Sequence, residues 1–291
     1  MNGSTKRDAP RDTGRGFAII LGTNEIASAV AVRLSWEGFD VALSYDPHPP
    51  VLRRGMSFHD ALYEDSAQVD GITGKRAENA VELFEIFASR GCVAVTPLHA
   101  TDLIPLRRAD AIIDARMQKD RVTPDLRGFA GLAVGLGPNF TVAVNCDVAI
   151  ETHPARAGAV LKTGRTWASD GIPRALGGLG EERFLRAPRA GVWRTPLNIG
   201  DRVYKGVTIG RQGGAPLVAP IDGFLRGLAR DGAQAPEGAK LVEIDPRGRR
   251  ACWTGTDELG RAVAEATAQA LLGAHVRVRA RGAARSSALM H

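Results

Sequence analysis

Ala187-Pro-Arg-Ala-Gly191 and, 32 residues further on, Ala219-Pro-Ile-Asp-Gly223 open two copies of one pattern. At the same offset Gly200 aligns with Gly232 and Gly206 with Gly238, while Val192 matches Phe224 and Ile209 matches Leu241. Each copy reads as strand, turn, strand, turn, strand. A unit of short strands cannot bury its apolar face alone, so two copies must pack together. The repeat predicts a small β sandwich with a pseudo-twofold axis over about 186–246.

Working outward toward the N-terminus, Phe17-Ala-Ile-Ile-Leu21 is a short apolar strand followed by Gly22-Thr-Asn-Glu-Ile-Ala-Ser28. Ile26, Val30 and Leu34 mark a helix to about Trp36, which Gly38 ends. Asp40-Val-Ala-Leu-Ser-Tyr45 is a second strand with Asp46 at its end. Strand, glycine turn, helix, strand and acid is the order of a nucleotide-binding βαβ unit. The glycine fingerprint GxGxxG is incomplete, however: its three places read Gly22, Asn24 and Ala27. Gly22 can make the tight turn, but Asn24 places a side chain where a pyrophosphate needs bare backbone. Asp46 is a candidate ribose ligand and equally a turn residue before His-Pro-Pro.

The alternation continues with a helix over Glu78–Ser89, whose inner face is read as Val81, Phe84 and Phe87, and with strands at 92–96, 111–114, 132–134 and 148–150. This pattern predicts an α/β, Rossmann-like domain over 17–150. Gly135-Leu-Gly-Pro-Asn-Phe140 directly follows a strand, and its glycines can align N–H groups into an anion nest, which makes Gly135, Gly137 and Asn139 candidates. A connecting segment, 151–185, leads to the repeat. After the repeat comes 247–273, with a helix from about Thr256, its N-cap, to Leu272.

Hydrophobic residues are 44% of the 291, charged residues 24%, which excludes a wholly disordered chain. The net charge of +6 invites a nucleic-acid reading, but its location opposes one. Residues 17–273 are neutral, and the excess lies in basic tails at 1–16 and 274–291 that read as disordered. With 5% aromatics, stacking platforms for single strands are also scarce. No apolar run reaches the roughly 18 residues of a membrane span, and no signal peptide is evident, so a soluble cytoplasmic protein is expected. Cys92, Cys146 and Cys252 form no metal-binding spacing, so no metal site is expected. Cys146 is the one cysteine near other polar groups.

Among charged candidates, Asp114 with Arg116 follows a strand, as does the Glu151, His153 and Arg156 group. The first pair suits ligand binding and proton transfer, and equally a strand-end ion pair. Glu151 suits acid–base work. Arg53 and Arg54 can clamp a phosphate bidentately or form a solvated basic pair.

The repeated half, with A-P-x-x-G-V, G-D-x-V-x-K-G and A-P-I-D-G-F, resembles biotinyl/lipoyl-type barrel-sandwich domains. The hairpin that bears the lysine in true carriers reads Thr208-Ile-Gly-Arg-Gln-Gly-Gly-Ala-Pro-Leu-Val218 and holds none, so the carrier function is not expected. The body as a whole resembles the YqeB-type family of selenium-dependent molybdenum hydroxylase maturation proteins, related to xanthine dehydrogenase accessory proteins. The matching pieces are Val51, Arg53-Arg54, Ser57-Phe58, Asp114-Ala-Arg-Met117, Gly135-Leu-Gly-Pro-x-Phe-Thr141, Ile150-Glu-Thr152, Gly171-Ile-Pro173 and Ile244-Asp-Pro-Arg-Gly248, in family order. The resemblance implies a chaperone-like accessory protein that binds, modifies or delivers the molybdenum–pterin cofactor to an apo molybdenum hydroxylase. A homo-oligomer is compatible with it. The sequence departs from the family at Gly22-Thr-Asn-Glu25, at Asn139 and at His153-Pro-Ala-Arg156, all in expected ligand loops. Two other readings stand beside it: a nicotinamide-dependent oxidoreductase using NAD(P), and a non-catalytic adaptor that binds a partner enzyme.

Overall fold

The computed structural model describes residues 14–48, 50–119 and 124–288, with side chains through residue 274. Most of the predicted N-terminal tail, residues 1–13, lies outside them.

The first half builds a nine-stranded sheet. Its strands are β1 (Phe17–Leu21), β2 (Asp40–Ser44), β3 (Ser66–Val69), β4 (Ile72–Arg76), β5 (Cys92–Thr96), β6 (Ala111–Asp114), β7 (Leu132–Leu136), β8 (Val148–Ile150) and β9 (Val160–Leu161). Their spatial order is β3-β4-β5-β2-β1-β6-β7-β8-β9. From β4 to β8 every neighbouring pair is parallel, and only the two edge strands run antiparallel. The run β5-β2-β1-β6-β7-β8 follows the order of doubly wound nucleotide-binding sheets.

The helices are α1 (Glu25–Trp36), α2 (Ala80–Ala88), α3 (Ala100–Leu103) and α4 (Glu258–Ala288). Helix α1 lies with α4 over one face of the sheet, and α2 and α3 over the other. Helix α2 buries Leu83, Ile86 and Phe87, whereas Val81, read as an inner residue, is exposed. Positions 83, 86 and 87 share one helical stripe at i, i+3 and i+4.

The chain's last helix returns to the first domain: Arg33 pairs with Glu265, and Gly260 lets α4 approach α1, since a Cβ there would come within 3.1 Å of the Ala29 Cβ. Two details of α4 correct the sequence reading. Its N-cap is Asp257, whose Oδ1 accepts from the Gly260 N–H, and not Thr256. The helix also continues through Gly273 to Ala288, into the segment read as a disordered tail. An interior glycine costs a helix only about 1 kcal/mol, and Gly273 stands among the good helix formers Leu271, Leu272 and Ala274.

The second half forms two four-stranded sheets from β10 (Phe184–Arg186), β11 (Gly191–Arg194), β12 (Arg202–Val203), β13 (Thr208–Gln212), β14 (Ala215–Val218), β15 (Gly223–Leu228), β16 (Gln234–Ala235) and β17 (Lys240–Asp245). Their orders are β10-β17-β15-β12 and β14-β13-β11-β16. Each strand of one sheet corresponds, 32 residues away in the repeat, to the strand in the same place of the other. Hydrogen bonds repeat with the strands: the Gly206 N–H donates to Ala219 O and the Gly238 N–H to Ala187 O, at 2.9 and 2.8 Å. Trp193, Ile209, Leu225 and Leu241 fill one shared core.

Candidate functional site

Three loops follow the carboxyl ends of β1, β2 and β6, where the connections leaving the neighbours β1 and β6 run to opposite sides of the sheet. In doubly wound sheets this is the ligand crevice. Here the strands β10 and β17 of the second half face it and close a cleft of about 780 Å³. The first half contributes Gly22 to Ile26, Asp46 and the run Arg116 to Lys119; the second contributes Phe184, Arg186, Lys240 and Glu243.

The turn after β1 has an internal logic that departs from dinucleotide binding. A Cβ on Gly22 would lie 3.1 Å from the Ala115 carbonyl oxygen, so the glycine admits the loop after β6. The Asn24 Nδ2 donates to that same carbonyl at 2.7 Å. Its Oδ1 accepts from the Ile26 and Ala27 N–H groups at 3.0 Å, capping α1. Glu25 stands in the first turn, its carboxylate 3.2 Å from Arg53. Two of the N–H donors that would cradle a pyrophosphate are therefore already satisfied, and a carboxylate stands beside them.

Arg53 is a cleft residue, but its guanidinium is committed. Nε and Nη2 donate to the two oxygens of Glu243 at 2.7 and 3.2 Å, and Nη1 also reaches Glu25. Glu243, 1% exposed, additionally meets Arg183 and Arg226, and Arg226 continues to Asp257 at the start of α4. Burial opposes ionisation of Glu243, but Arg53 and Arg183 overcome it and hold its pKa down to about 2. Arg54 points away from the cleft and pairs with Asp60 and the Leu228 carbonyl. Together these contacts lock the 50–64 segment of the first half against β15 and β17.

Asp46 and Arg116 also line the cleft. Arg116 folds back on buried Asp114 through its N–H, Nε and Nη2, so the pair forms one clip at the end of β6. Asp46 Oδ2 accepts from Gln118 at 2.9 Å and lies 3.7 Å from Arg116.

No family model matches the chain. It is 31% identical over 261 residues to the Uncharacterized protein YqeB of Escherichia coli (strain K12), a match covering 89% of this chain and 48% of the relative. The chain is a sequence relative of YqeB. It spans about half the length of that relative. Similarity to solved structures is remote. A succinylglutamate desuccinylase/aspartoacylase from Rhodobacter sphaeroides gives a TM-score of 0.20 at 21% identity, over 29% of this chain and 30% of the other. The apo form of the ectoine utilization protein EutE (DoeB) from Ruegeria pomeroyi gives 0.24 at 11% identity, over 79% and 86%. Scores this low carry no argument about fold or chemistry.

In this YqeB relative, four of the candidate ligand residues, Arg54 among them, and both candidate acids, Asp114 and Glu151, lie away from the cleft walls. Gly135 is occupied by packing: a Cβ there would meet the Phe140 ring at 2.0 Å. Gly137 turns at φ 91° against Met117 and Thr152. Asn139 holds the loop after β6 from behind, its Nδ2 donating to Lys119 O at 2.8 Å. Glu151, 1% exposed, spends Oε1 on the Thr152 and His153 N–H groups and Oε2 on that of Trp167. Both of its oxygens are thus engaged by backbone N–H groups, and it fastens its own loop. Burial pushes the Cys146 thiol up to about 11, which suits a packed side chain and not a sulfur donor.

Sequence reasoning missed the residues the second half supplies to the cleft, above all Lys240 and Phe184. It also missed His59, buried behind the β1 turn, whose Nδ1 lies 2.9 Å from the Thr23 hydroxyl. Burial pushes His59 down to about 4, so the ring is neutral. Among the described residues no cluster of His, Cys, Asp or Glu could hold a metal ion, and no helix is long and apolar enough to cross a membrane.

Proposed function

We propose that this chain is an accessory protein for maturation of a molybdenum hydroxylase, joining a Rossmann-like domain to a barrel-sandwich module whose shared cleft holds the molybdenum–pterin cofactor as cargo. The observation that carries the reading is the cleft itself. Its floor is the carboxyl edge of a doubly wound sheet, its walls are largely apolar, with Met117, Leu52, Leu259 and Phe184, and cations stand at its rim. A flat pterin with an anionic phosphate matches that combination of surfaces. The metal in such a cofactor travels with the organic ligand, so the site needs no side chains of its own to ligate it.

The chain's own residues bind and shield more than they react. Asp114 and Glu151, the two acids suited to catalysis by position, are both fully engaged. This favours holding and delivery over chemical modification. The same observation supports a second reading, a non-catalytic adaptor for a partner enzyme. A nicotinamide-dependent oxidoreductase is disfavoured by the self-capped α1 terminus.

Native mass spectrometry of protein purified anaerobically from its host, with pterin fluorescence after acid oxidation, tests the reading. A stoichiometric molybdopterin-sized adduct supports cofactor handling. A bound NAD(P) would sink it, and an empty protein that co-purifies with a hydroxylase would favour the adaptor.

A further inference from the structure

The cations around the cleft fall into two groups. Arg53 faces Glu243 and Glu25, Arg116 is clipped by Asp114, and Arg186 donates through Nε to Glu181. Lys240 and Lys119 differ: among the described residues neither ammonium reaches a carboxylate. They come from opposite halves of the molecule, Lys240 from the start of β17 and Lys119 from the loop after β6, and both line the same cleft. Lys240 is half-buried, with Nζ 3.6 Å from the centroid of the Phe184 ring. Arg186 stands beside it, one Nη engaged by the Gly238 carbonyl.

We propose that Lys240, with Arg186 and Lys119, is the seat for a phosphate monoester group of the ligand, the buried Phe184 ring beneath Lys240 and Arg183 holding the ammonium in place. The seat thus lies on the second module and not at the N-terminus of α1, where Asn24 and Glu25 already satisfy the donors and oppose an anion. This assignment deepens the cofactor reading by naming how the cargo would be gripped, but it depends only on the chemistry of the cleft. Surplus positive charge in a partly desolvated cleft seeks an anion, and an anion bridging two modules adds to the contact between them.

The groups facing Lys240 are consistent with an open anion seat. Burial first, and then Arg186, lower its pKa to about 8, while Glu181 and Glu243 pull the other way and Lys119 adds to the lowering. That lowering makes Lys240 the most nucleophilic amine among the described cleft residues at mildly alkaline pH, and a reagent whose phosphate is held by Arg186 and Lys119 leaves it free to attack an aldehyde, which supplies a direct assay.

The full chain is treated with pyridoxal 5′-phosphate at pH 8. An amine condenses with the aldehyde to an imine with loss of water, and borohydride hydride reduces the C=N bond to a stable secondary amine. Peptide mapping then locates the adduct among the six lysines, Lys6, Lys75, Lys119, Lys162, Lys205 and Lys240. The expected result is labelling at Lys240 at least tenfold above the exposed Lys75 and Lys205, suppressed by inorganic phosphate and reduced in Lys119→Met. Unphosphorylated pyridoxal should label Lys240 several-fold less. Equal labelling by pyridoxal and its phosphate, or no protection by inorganic phosphate, would show a merely reactive amine and overturn the seat. Labelling spread evenly over the lysines would overturn it as well. Because the probe is not the native cargo, a confirmed seat in a protein that carries no molybdopterin would reject the cofactor reading and leave this proposal standing.

Discussion

The Arg53 Nε lies 2.7 Å from Glu243 Oε2, and this contact joins the two halves of the molecule. Arg53 belongs to the segment after β2, Glu243 to the middle of β17. Around Glu243 also stand Arg183 and Arg226, and Arg226 passes the connection to Asp257, the N-cap of α4. One buried carboxylate thus holds together the cleft's two walls and the helix that covers the first domain. Removing one member of such a group costs more than the group contributes, because the remaining charges stay desolvated.

Glu243→Gln should therefore lower the unfolding free energy by about 3–5 kcal/mol, leaving three arginines facing a neutral amide. Arg53→Met should cost less, since Arg183 and Arg226 still neutralise the carboxylate. Urea unfolding of both variants at pH 7 measures the difference. Equal losses would show that Arg53 alone is the partner that matters.

The same group sets an acid limit. The Glu243 pKa is about 2 in the fold against an ordinary 4.5, so its contribution is fully present above pH 4.5 and is lost as pH falls toward 2. His59 acts over a higher window. Its folded value of about 4 lies below the ordinary 6.5, so the unfolded chain takes up the proton first and stability falls as pH drops from 6.5 toward 4. Unfolding followed from pH 7 to 3 should steepen in two stages, and His59→Asn should flatten only the upper one. An NMR titration in which His59 protonates above pH 6 would contradict this assignment.

How far the sequence discloses the molecule depends on how local the signal is. Strands such as Phe17–Leu21 and Ala111–Asp114 are legible because they are buried on both faces and so read as unbroken apolar runs. The repeat is legible because aligned glycines at 200 and 232, and at 206 and 238, all carry the left-handed backbone that only turns require. The β3–β4 hairpin was missed although Asp70-Gly71, both with positive φ, is a hairpin signal; its strands are half polar because they close the sheet's edge. Site residues divide the same way. Gly22, Asn24, Asp46 and Arg116 lie next to strand ends in the first domain and could be picked out. Lys240 and Phe184 reach the cleft only because two modules meet, and no local pattern announces an interface. Gly135 shows the opposite error: a glycine kept for a packed Phe140 looks, in sequence, like one kept for a ligand.

Gly135→Ala separates those two roles. A methyl group at 2.0 Å from the Phe140 ring cannot be accommodated without displacing it, so the variant should lose on the order of 1–3 kcal/mol of stability by overpacking. Pairing it with Phe140→Leu should recover part of that loss. If Gly135 instead served a ligand, Gly135→Ala would melt normally and fail only in binding.

Asn24 offers the sharpest test of the first domain's chemistry. Its side chain satisfies two N–H groups of α1 and ties the turn to the Ala115 carbonyl, so Asn24→Ala should cost about 1 kcal/mol or somewhat more in stability. Occupied donors also mean that the wild-type chain should not take up NAD(H) or NADP(H) at micromolar concentrations, which a fluorescence titration with the reduced forms checks. Asn24→Gly combined with Glu25→Gln frees the donors and removes the opposing carboxylate. If the terminus is a disabled pyrophosphate site, that double variant should gain measurable dinucleotide binding while the wild type shows none. If wild type binds as tightly as the double variant, the cap is no barrier, and the oxidoreductase reading regains the ground that the geometry of Asn24 takes from it.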